Sequence, residues 1–242
     1  MAKRPFSAVP EHAFGGNVFE DQLASVAPLV DAVWTQIAAL AEGNEHVRVL
    51  VTSPQHESGT SLLASATASS LARHMRAKVL MVEAHMRQPK AASFLGVEGS
   101  PGFSDLLLGH AEMDDAIHAV PGTPDLELLP GGTPRPALAG EFATRTAREL
   151  LGELTTRVKY TVFDAPPLTE HREARGLLSH VDAAVIVLRS RHSLKSRTAA
   201  LAELIENARV PILGTVLNRH QSDLGFLQGA LGADCAPRGP PR

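Results

Sequence analysis

The sequence predicts an α/β fold, a doubly wound and mostly parallel sheet flanked by helices. Short continuous apolar runs rich in valine recur along the chain, and such runs are typical of parallel strands buried on both faces. Helical patterns lie between several of these runs, and alternating strands and helices build a sheet of this kind. The apolar fraction, 44% of 242 residues, is enough for the core of one domain of ordinary size.

The predicted elements follow one another along most of the chain. Residues 20–42 place apolar side chains at helical spacing, with Pro28 dividing a short lead-in from the main helix. Strands are predicted at 47–51, 79–82, 160–163, 183–188 and 211–217, with a short one at 126–129. Helical patterns occupy 61–75, 143–158, 170–178 and 193–208. Residues 20–220 thus form the predicted domain, between a flexible arm at 1–19 and a disordered tail at 221–242.

Composition excludes several classes of function. The formal charge of −3 provides no general attraction to nucleic acid or anionic lipid. A single cysteine excludes an internal disulfide and a cysteine-based metal site, which fits a reducing compartment. No signal peptide is recognisable, and the strongest apolar run, 183–188, is far shorter than the ~20 residues that span a bilayer. A soluble, cytoplasmic protein without a membrane span is therefore expected.

The segment from Val47 to Ser61 has the layout of a phosphate-binding loop, in which an apolar strand leads through a glycine-containing turn into a helix. Such a loop ends in Gly-Lys-Ser/Thr, with backbone N–H groups around the phosphates and the lysine on the outer phosphate oxygens. Gly59 and Ser61 are present, but Thr60 stands in place of the lysine. Glu57 replaces the first loop glycine, and at ~4 Å its repulsion of a phosphate charge is about 4 kcal/mol.

Six motifs, in order along the chain, point to one family. They are the loop at 52–61, Val79-Leu-Met-Val-Glu-Ala-His-Met-Arg-Gln-Pro89, Gly102-Phe-Ser-Asp-Leu-Leu-Leu-Gly109, Leu129-Pro-Gly-Gly-Thr-Pro-Arg-Pro136, Val162-Phe-Asp-Ala-Pro-Pro-Leu168 and Ile212-Leu-Gly-Thr-Val-Leu-Asn218. With these motifs the chain resembles the bacterial tyrosine kinases of capsule and exopolysaccharide synthesis, a branch of the ParA/MinD-like P-loop ATPases. The resemblance covers residues 25–220 and implies a shared fold and ancestry.

The resemblance also implies roles for single residues. The positions that match the family's nucleotide site are Glu57, Ser58, Gly59, Thr60, Ser61, Arg87 and Asn218. Among them, Asn218 matches a residue that contacts a purine base. Glu83 and His85 match two aspartates that assist magnesium binding and activation of the tyrosine hydroxyl, and Asp164 matches a magnesium-coordinating aspartate. Ser61, Glu83 and Asp164 are therefore the candidate Mg²⁺ ligands, and Glu83, His85 and Asp164 the candidate catalytic residues of a degenerate site.

The departures from the family fall on charged chemistry. Thr60 removes the cation of the loop, and His85 is a poor ligand for Mg²⁺, which prefers oxygen. The C-terminal tail contains no tyrosine, although the family's kinases are phosphorylated there, and Tyr160 opens a predicted buried strand. Trp34 and Ile37 replace two arginines of the family's assembly helix. They are expected in the core, and the alternative is an apolar contact where the kinases use salt bridges. ATP or ADP with Mg²⁺ is therefore expected to bind weakly or not at all.

Each candidate also has a structural interpretation. Asp164 could accept backbone hydrogen bonds at a strand end, Asn218 could be a turn residue, and Arg87 could pair with a carboxylate at an interface. Gly59 and Ser61 could turn the chain and cap the helix. The eleven histidines show no pair at helical metal-site spacing with a carboxylate partner, so scattered structural or surface positions are expected for them.

Three functions are compatible with these observations. The first is a kinase-like regulatory subunit of polysaccharide synthesis and export, without efficient catalysis, recruited to the inner face of the membrane by a membrane-embedded co-polymerase or chain-length regulator. The second is a weak ATPase or protein-tyrosine kinase of the same pathway. The third is a ParA/MinD-like positioning protein, which the contexts of Arg87 and Asp164 disfavour. No nucleic-acid partner is expected, and homo-oligomerisation stays open.

Overall fold

The computed structural model describes residues 16–134, 142 and 144–219. The strands are β1 (Val47–Thr52), β2 (Val79–Glu83), β3 (His118–Ala119), β4 (Leu126–Leu129), β5 (Tyr160–Asp164), β6 (Ala183–Arg189) and β7 (Ile212–Asn218). The α-helices are α1 (Gly16–Leu40), α2 (Thr60–Met75), α3 (Ala91–Leu95), α4 (Phe103–Leu107), α5 (Met113–Ala116), α6 (Arg145–Thr156) and α7 (Lys195–Asn207). A 3₁₀ helix covers Arg172–His180, where the sequence predicts a helix over 170–178.

The strands form one sheet, which confirms the predicted doubly wound fold. Their order is β3-β4-β2-β5-β1-β6-β7, with β3 antiparallel to β4 and all other neighbours parallel. The six predicted strands are present close to their predicted bounds. β3 and the short helices α3, α4 and α5 are additions that the apolar pattern does not predict.

The first helix is longer than predicted. α1 begins at Gly16, inside the segment expected to be an arm, and continues through Pro28 without a break. A proline removes one helical hydrogen bond, but the buried side chains of Val26 and Val30 hold the helix in the core on either side of it. The rest of the arm, 1–15, and the tail, 221–242, lie outside the described residues. Neither α1 nor any other helix within the described residues is long and apolar enough to cross a bilayer.

Two layers of core lie on opposite faces of the sheet because successive strand residues point in opposite directions. In β1, Val49 and Val51 contribute to the layer beneath α1, α2 and α3. Leu50 contributes to the layer beneath α4, α5, α6, the 3₁₀ helix and α7. Burying a valine or leucine side chain contributes about 1.5–3 kcal/mol, so both layers stabilise the sheet strongly.

The carboxyl ends of the parallel strands meet at one edge of the sheet, where open α/β sheets form their binding crevice. Glu83 and Asp164 end β2 and β5 and are direct neighbours across these two strands, and Asp164 also pairs with Val51 of β1. Asn218 ends β7 at the same edge. The topology therefore gathers residues of four distant motifs around the start of α2.

Candidate functional site

The loop between β1 and α2 keeps a backbone conformation that suits glycine at two positions. Gly59, the N-cap of α2, has a φ of 89°, and a Cβ atom built there would lie 2.2 Å from Asn218 Nδ2. Glu57 has a φ of 60°. The left-handed region costs a residue with a Cβ roughly 1–2 kcal/mol. The loop thus retains a glycine-type turn although a glutamate occupies it.

Side-chain hydrogen bonds hold this loop in place. The hydroxyls of Ser53 and Ser58 both donate to the Gln55 carbonyl oxygen at 2.9 Å. Asn218 Nδ2 donates to the Ser58 carbonyl oxygen at 2.9 Å, which ties the end of β7 to the loop. The amide that the family resemblance assigns to a purine base is therefore already engaged in supporting the loop.

No cation occupies the sequence position of the loop lysine, where Thr60 stands half-buried. The Glu57 side chain is 76% exposed, and its Oε2 lies 3.4 Å from Nη1 of Arg189. Solvent and Arg189 therefore screen its charge. The repulsion of about 4 kcal/mol expected from the sequence is an upper limit for a phosphate bound here.

A pocket with a volume of about 840 Å³ opens beside the loop. Its wall contains residues 56–62 of the loop and of α2, together with His85, Lys90, Asp164 and Asn218. This volume lies in the usual range for small-molecule sites, about 300–1,000 Å³. The pocket lies where the sequence predicts a nucleotide.

Asp164 is buried in the wall of the pocket and carries an unpartnered oxygen. Its Oδ2 has no hydrogen-bond partner among the described residues. Burial, followed by the Glu83 carboxylate, raises the pKa of Asp164 to about 8, against smaller opposing effects of Ser61 and Lys90. A carboxylate oxygen next to a serine hydroxyl fits the oxygen ligands that Mg²⁺ prefers. Ser61 and Asp164, two of the predicted Mg²⁺ ligands, are thus brought together.

Glu83, the third predicted ligand, is fully buried and receives hydrogen bonds from three backbone N–H groups. Its Oε1 accepts from Lys90 and, at 2.6 Å, from Ala91, and its Oε2 accepts from Gly131 at 2.9 Å. Burial raises the pKa of Glu83, and these backbone hydrogen bonds oppose that rise. Because the donors stabilise the ionised form, we assign the charge of the pair to Glu83 and the proton to Asp164. The Glu83 carboxylate joins β2 to α3 and to the turn after β4.

The third and fourth sequence motifs pack directly against each other. A Cβ atom on Gly102 would lie 2.4 Å from the Pro130 carbonyl oxygen and 2.4 Å from the Gly132 nitrogen. Phe103 N–H donates to the Pro130 carbonyl oxygen at 2.8 Å. Since Gly131 also binds Glu83, these motifs form a structural support behind the pocket.

Three histidines from separate loops converge beside the pocket. His56 belongs to the loop after β1, His85 follows β2 and His171 follows β5, and one nitrogen of each lies within 4.8 Å of the others. Nε2 of His56 and Nε2 of His171 are 3.2 Å apart. The expectation that the histidines are scattered is therefore wrong for these three.

A search for helical spacing misses this cluster because its members come from three loops. The signal that could have found it is their position after β1, β2 and β5, which are neighbours in the sheet. Burial, with contributions from His171, His56 and Lys90, lowers the pKa of His85 to about 4. His85 is therefore a neutral imidazole at pH 7.

Other predicted residues have identifiable partners. Arg87 Nη2 lies 3.0 Å from Glu173 Oε1 in the 3₁₀ helix, so it pairs with a carboxylate of its own chain. Tyr160 and Ile37 are buried, which confirms their predicted packing. Trp34 is half-buried and stacks on His74 with ring centroids 5.1 Å apart.

Sequence comparison finds relatives of this chain among tyrosine-protein kinases. No protein-family model matches the chain. The tyrosine-protein kinase YwqD of Bacillus subtilis is 26% identical over 170 residues, which are 70% of this chain and 71% of that protein. The tyrosine-protein kinase etk of Escherichia coli is 22% identical over 194 residues, 80% of this chain but only 26% of that protein.

Solved structures extend the comparison. The chimerical protein CapA2B2 has a TM-score of 0.71 and 26% identity, covering 78% of this chain and 82% of that one. The septum site-determining protein MinD of Pyrococcus horikoshii, complexed with Mg-ADP, has a TM-score of 0.60 and 22% identity over 74% of this chain and 72% of its own, and shares the fold. Sequence and fold together identify the chain as a homologue of the bacterial tyrosine-protein kinases, built on a MinD-like P-loop fold.

Proposed function

We propose that the chain is a kinase-like regulatory subunit of capsule or exopolysaccharide synthesis and export that lacks efficient catalysis. One observation carries the proposal: the phosphate loop keeps its glycine-type turn at Glu57 and Gly59, while Thr60 supplies no cation. The fold and the loop turn are retained but the cation that would neutralise phosphate is not, and this combination favours a binding function over a catalytic one. The homology to tyrosine-protein kinases supports the choice of pathway.

The other candidate residues support inefficient catalysis for separate reasons. Asp164 must lose a proton with a pKa of about 8 before it binds Mg²⁺ as a carboxylate. His85, with a pKa of about 4, is a weak base for a tyrosine hydroxyl, whose ordinary pKa is about 10. Glu83 is engaged by three backbone N–H groups. Each of the three degenerate catalytic candidates is thus poorly suited to proton abstraction at neutral pH.

Nucleotide binding and turnover by the purified chain test this proposal. Calorimetry with ATP and Mg²⁺ is expected to give a dissociation constant no tighter than about 1 mM, a free energy weaker than about −4 kcal/mol. The rates of ATP hydrolysis and tyrosine phosphorylation by the wild-type chain are expected to equal those of the Asp164→Ala variant. Robust turnover that Asp164→Ala abolishes would refute the proposed lack of catalysis.

The proposed partner is a membrane-embedded co-polymerase or chain-length regulator, whose cytoplasmic segment would dock on this chain. The test uses the cytoplasmic segments of the membrane-embedded co-polymerases and chain-length regulators of the source organism. We expect calorimetry to show binding that is unchanged by ATP and by Asp164→Ala. A requirement for nucleotide would contradict a non-catalytic docking subunit, and an absence of binding would remove this partner.

A weak ATPase or protein-tyrosine kinase of the same pathway is the second candidate, and Lys90 favours it. Lys90 lines the pocket and lies close enough to Asp164 to lower its pKa, although Glu83 and burial dominate that pKa. Its ammonium group forms no ion pair with another described residue, so it is available to neutralise phosphate. This function predicts measurable ATP binding that Lys90→Ala weakens and that Lys159→Ala, distant from the pocket wall, leaves unchanged.

A further inference from the structure

The cluster of His56, His85 and His171 has the dimensions of a metal site. Two nitrogens bound at about 2.0–2.1 Å to one tetrahedral Zn²⁺ lie roughly 3.3 Å apart. Nε2 of His56 and Nε2 of His171 are 3.2 Å apart, close to that separation. All three ligand nitrogens lie within 4.8 Å, so a small movement of His85 would complete a three-histidine set.

Two glutamate carboxylates lie next to the histidines of the cluster, as carboxylates often do next to the histidine ligands of metal sites. Glu173 Oε1 lies 3.1 Å from Nδ1 of His171, and a carboxylate on that nitrogen leaves Nε2 free of its proton and able to bind a metal. Glu170 Oε2 lies 3.2 Å from Nε2 of His56, within reach of a fourth ligand position. Arg87 and Arg197 pair with Glu173 and Glu170 and hold these carboxylates in place.

The hydrogen bonding of His85 is compatible with metal binding. The Gln88 backbone N–H is shared between the His85 carbonyl oxygen and His85 Nδ1, each at 3.2 Å. Because the carbonyl oxygen can keep this donor alone, Nδ1 can take up the proton of the neutral ring. Nε2 of His85 then becomes available as a ligand.

We propose that His56, His85 and His171 bind one divalent transition-metal ion of the zinc class at the edge of the pocket. Imidazole nitrogens suit such ions and are poor ligands for Mg²⁺. His56 and His85 line the pocket, so the proposed ion would lie at its edge. The site is independent of the proposed function, since it requires neither nucleotide nor partner.

The test is a Zn²⁺ titration of the full chain, produced without a histidine tag and stripped of metal with a chelator. Calorimetry is expected to show one Zn²⁺ per chain, with no comparable binding of Mg²⁺. His85→Gln and His171→Gln are each expected to weaken binding by at least 10-fold, roughly the lower end of losses seen when metal sites are disturbed. Glu173→Gln is expected to weaken it by about 10-fold.

His110→Gln is the matched control, because His110 is an exposed histidine away from the cluster, and it is expected to leave Zn²⁺ affinity unchanged. Co²⁺ in place of Zn²⁺ reports the ligand geometry by its visible absorption, which is expected for wild type and lost in His85→Gln. Equal thermal midpoints in chelator show that the variants fold. The proposal is overturned if no Zn²⁺ binds at about 100 µM, or if binding persists unchanged in both His85→Gln and His171→Gln.

Discussion

Glu57 holds a backbone conformation that suits glycine better than any residue with a Cβ atom. Replacing it with glycine removes strain of roughly 1–2 kcal/mol, and part of this gain is offset by the greater flexibility of glycine in the unfolded chain. We expect Glu57→Gly to raise the free energy of unfolding by about 0.5–1 kcal/mol in urea titrations. The ion pair with Arg189 is exposed, so its loss changes little.

Glu57→Ala separates these effects. Alanine also loses the pair with Arg189, but it keeps the positive φ and its strain. Its free energy of unfolding is expected to equal that of wild type or fall slightly below it. If alanine and glycine stabilise the chain equally, the backbone strain is not the cause.

Asp164 makes stability depend on pH because its pKa is raised from an ordinary 3.8 to about 8. The folded state holds this proton more tightly than the unfolded state, so the resulting stability is complete below pH 3.8 and is lost as pH rises through 8. Asp164→Asn cannot ionise. We expect it to be more stable than wild type by up to about 6 kcal/mol at alkaline pH, a difference that shrinks toward acid pH.

Urea unfolding of both proteins in chelator, from acid to alkaline pH, measures this difference without metal. Asp125→Asn provides the control, because Asp125 is only partly buried and lies at the opposite end of the sheet from Asp164. A difference between Asp164→Asn and wild type that is constant with pH would show that Asp164 is not protonated in the folded state.

At the level of whole elements, Glu83 connects β2 to α3 and to the turn after β4. In Glu83→Gln, the amide NH₂ replaces one accepting oxygen and faces backbone N–H groups. A buried donor left without an acceptor costs about 1–3 kcal/mol. We expect the free energy of unfolding to fall by about 2 kcal/mol and hydrogen exchange at Gly131 to accelerate.

Glu127→Gln in the neighbouring strand β4 is the matched control. Its carboxylate lies 3.9 Å from Lys78 Nζ in a partly exposed and loosely spaced pair, so its loss is expected to cost less than about 0.5 kcal/mol. The same variants distinguish a structural Glu83 from a magnesium-assisting one. If Glu83→Gln lowers nucleotide binding while leaving stability intact, the structural interpretation fails.

In the molecule as a whole, the sheet could be predicted because the information that specifies it is local. An apolar run such as Ala183–Arg189 predicts a buried strand even when the adjacent strands of the sheet are unknown. The short helices α3, α4 and α5 lack such a pattern, since each is about one turn long and depends on contacts such as Glu83 with Ala91. α1 extends to Gly16 across residues that carry no helical period.

The site was predictable in position but not in detail. The strand ends place Glu83, Asp164 and Asn218 at one edge, which the motifs indicate. Which donors reach the Glu83 carboxylate, and that His56 meets His171, depend on loop conformations that connect residues more than 40 positions apart. These side chains meet because the topology of the sheet brings distant loops together. The pattern of residues within one segment carries no information about that arrangement.

The intact scaffold leads to a final prediction about nucleotide binding. The loop turn, Gly59, Ser61 and the unpartnered Asp164 oxygen are all in place, so we propose that the missing loop cation is what weakens nucleotide binding. Thr60→Lys combined with Glu57→Gly restores that cation and frees Arg189 from its carboxylate partner. We expect ADP with Mg²⁺ to bind the double variant about 10–100-fold more tightly than wild type, a gain of about 1.4–2.8 kcal/mol.

Calorimetry and the thermal midpoint with and without ADP measure this gain, since a ligand that binds only the folded state raises the midpoint. Thr60→Gln with Glu57→Gly is the matched control, because glutamine offers a long polar side chain without charge and tests whether the cation is responsible. Each single change is expected to recover less than both together, as the lysine and the relaxed loop act on the same phosphates. If the double variant with lysine binds ADP no better than the one with glutamine, the loss of the lysine charge does not explain weak nucleotide binding.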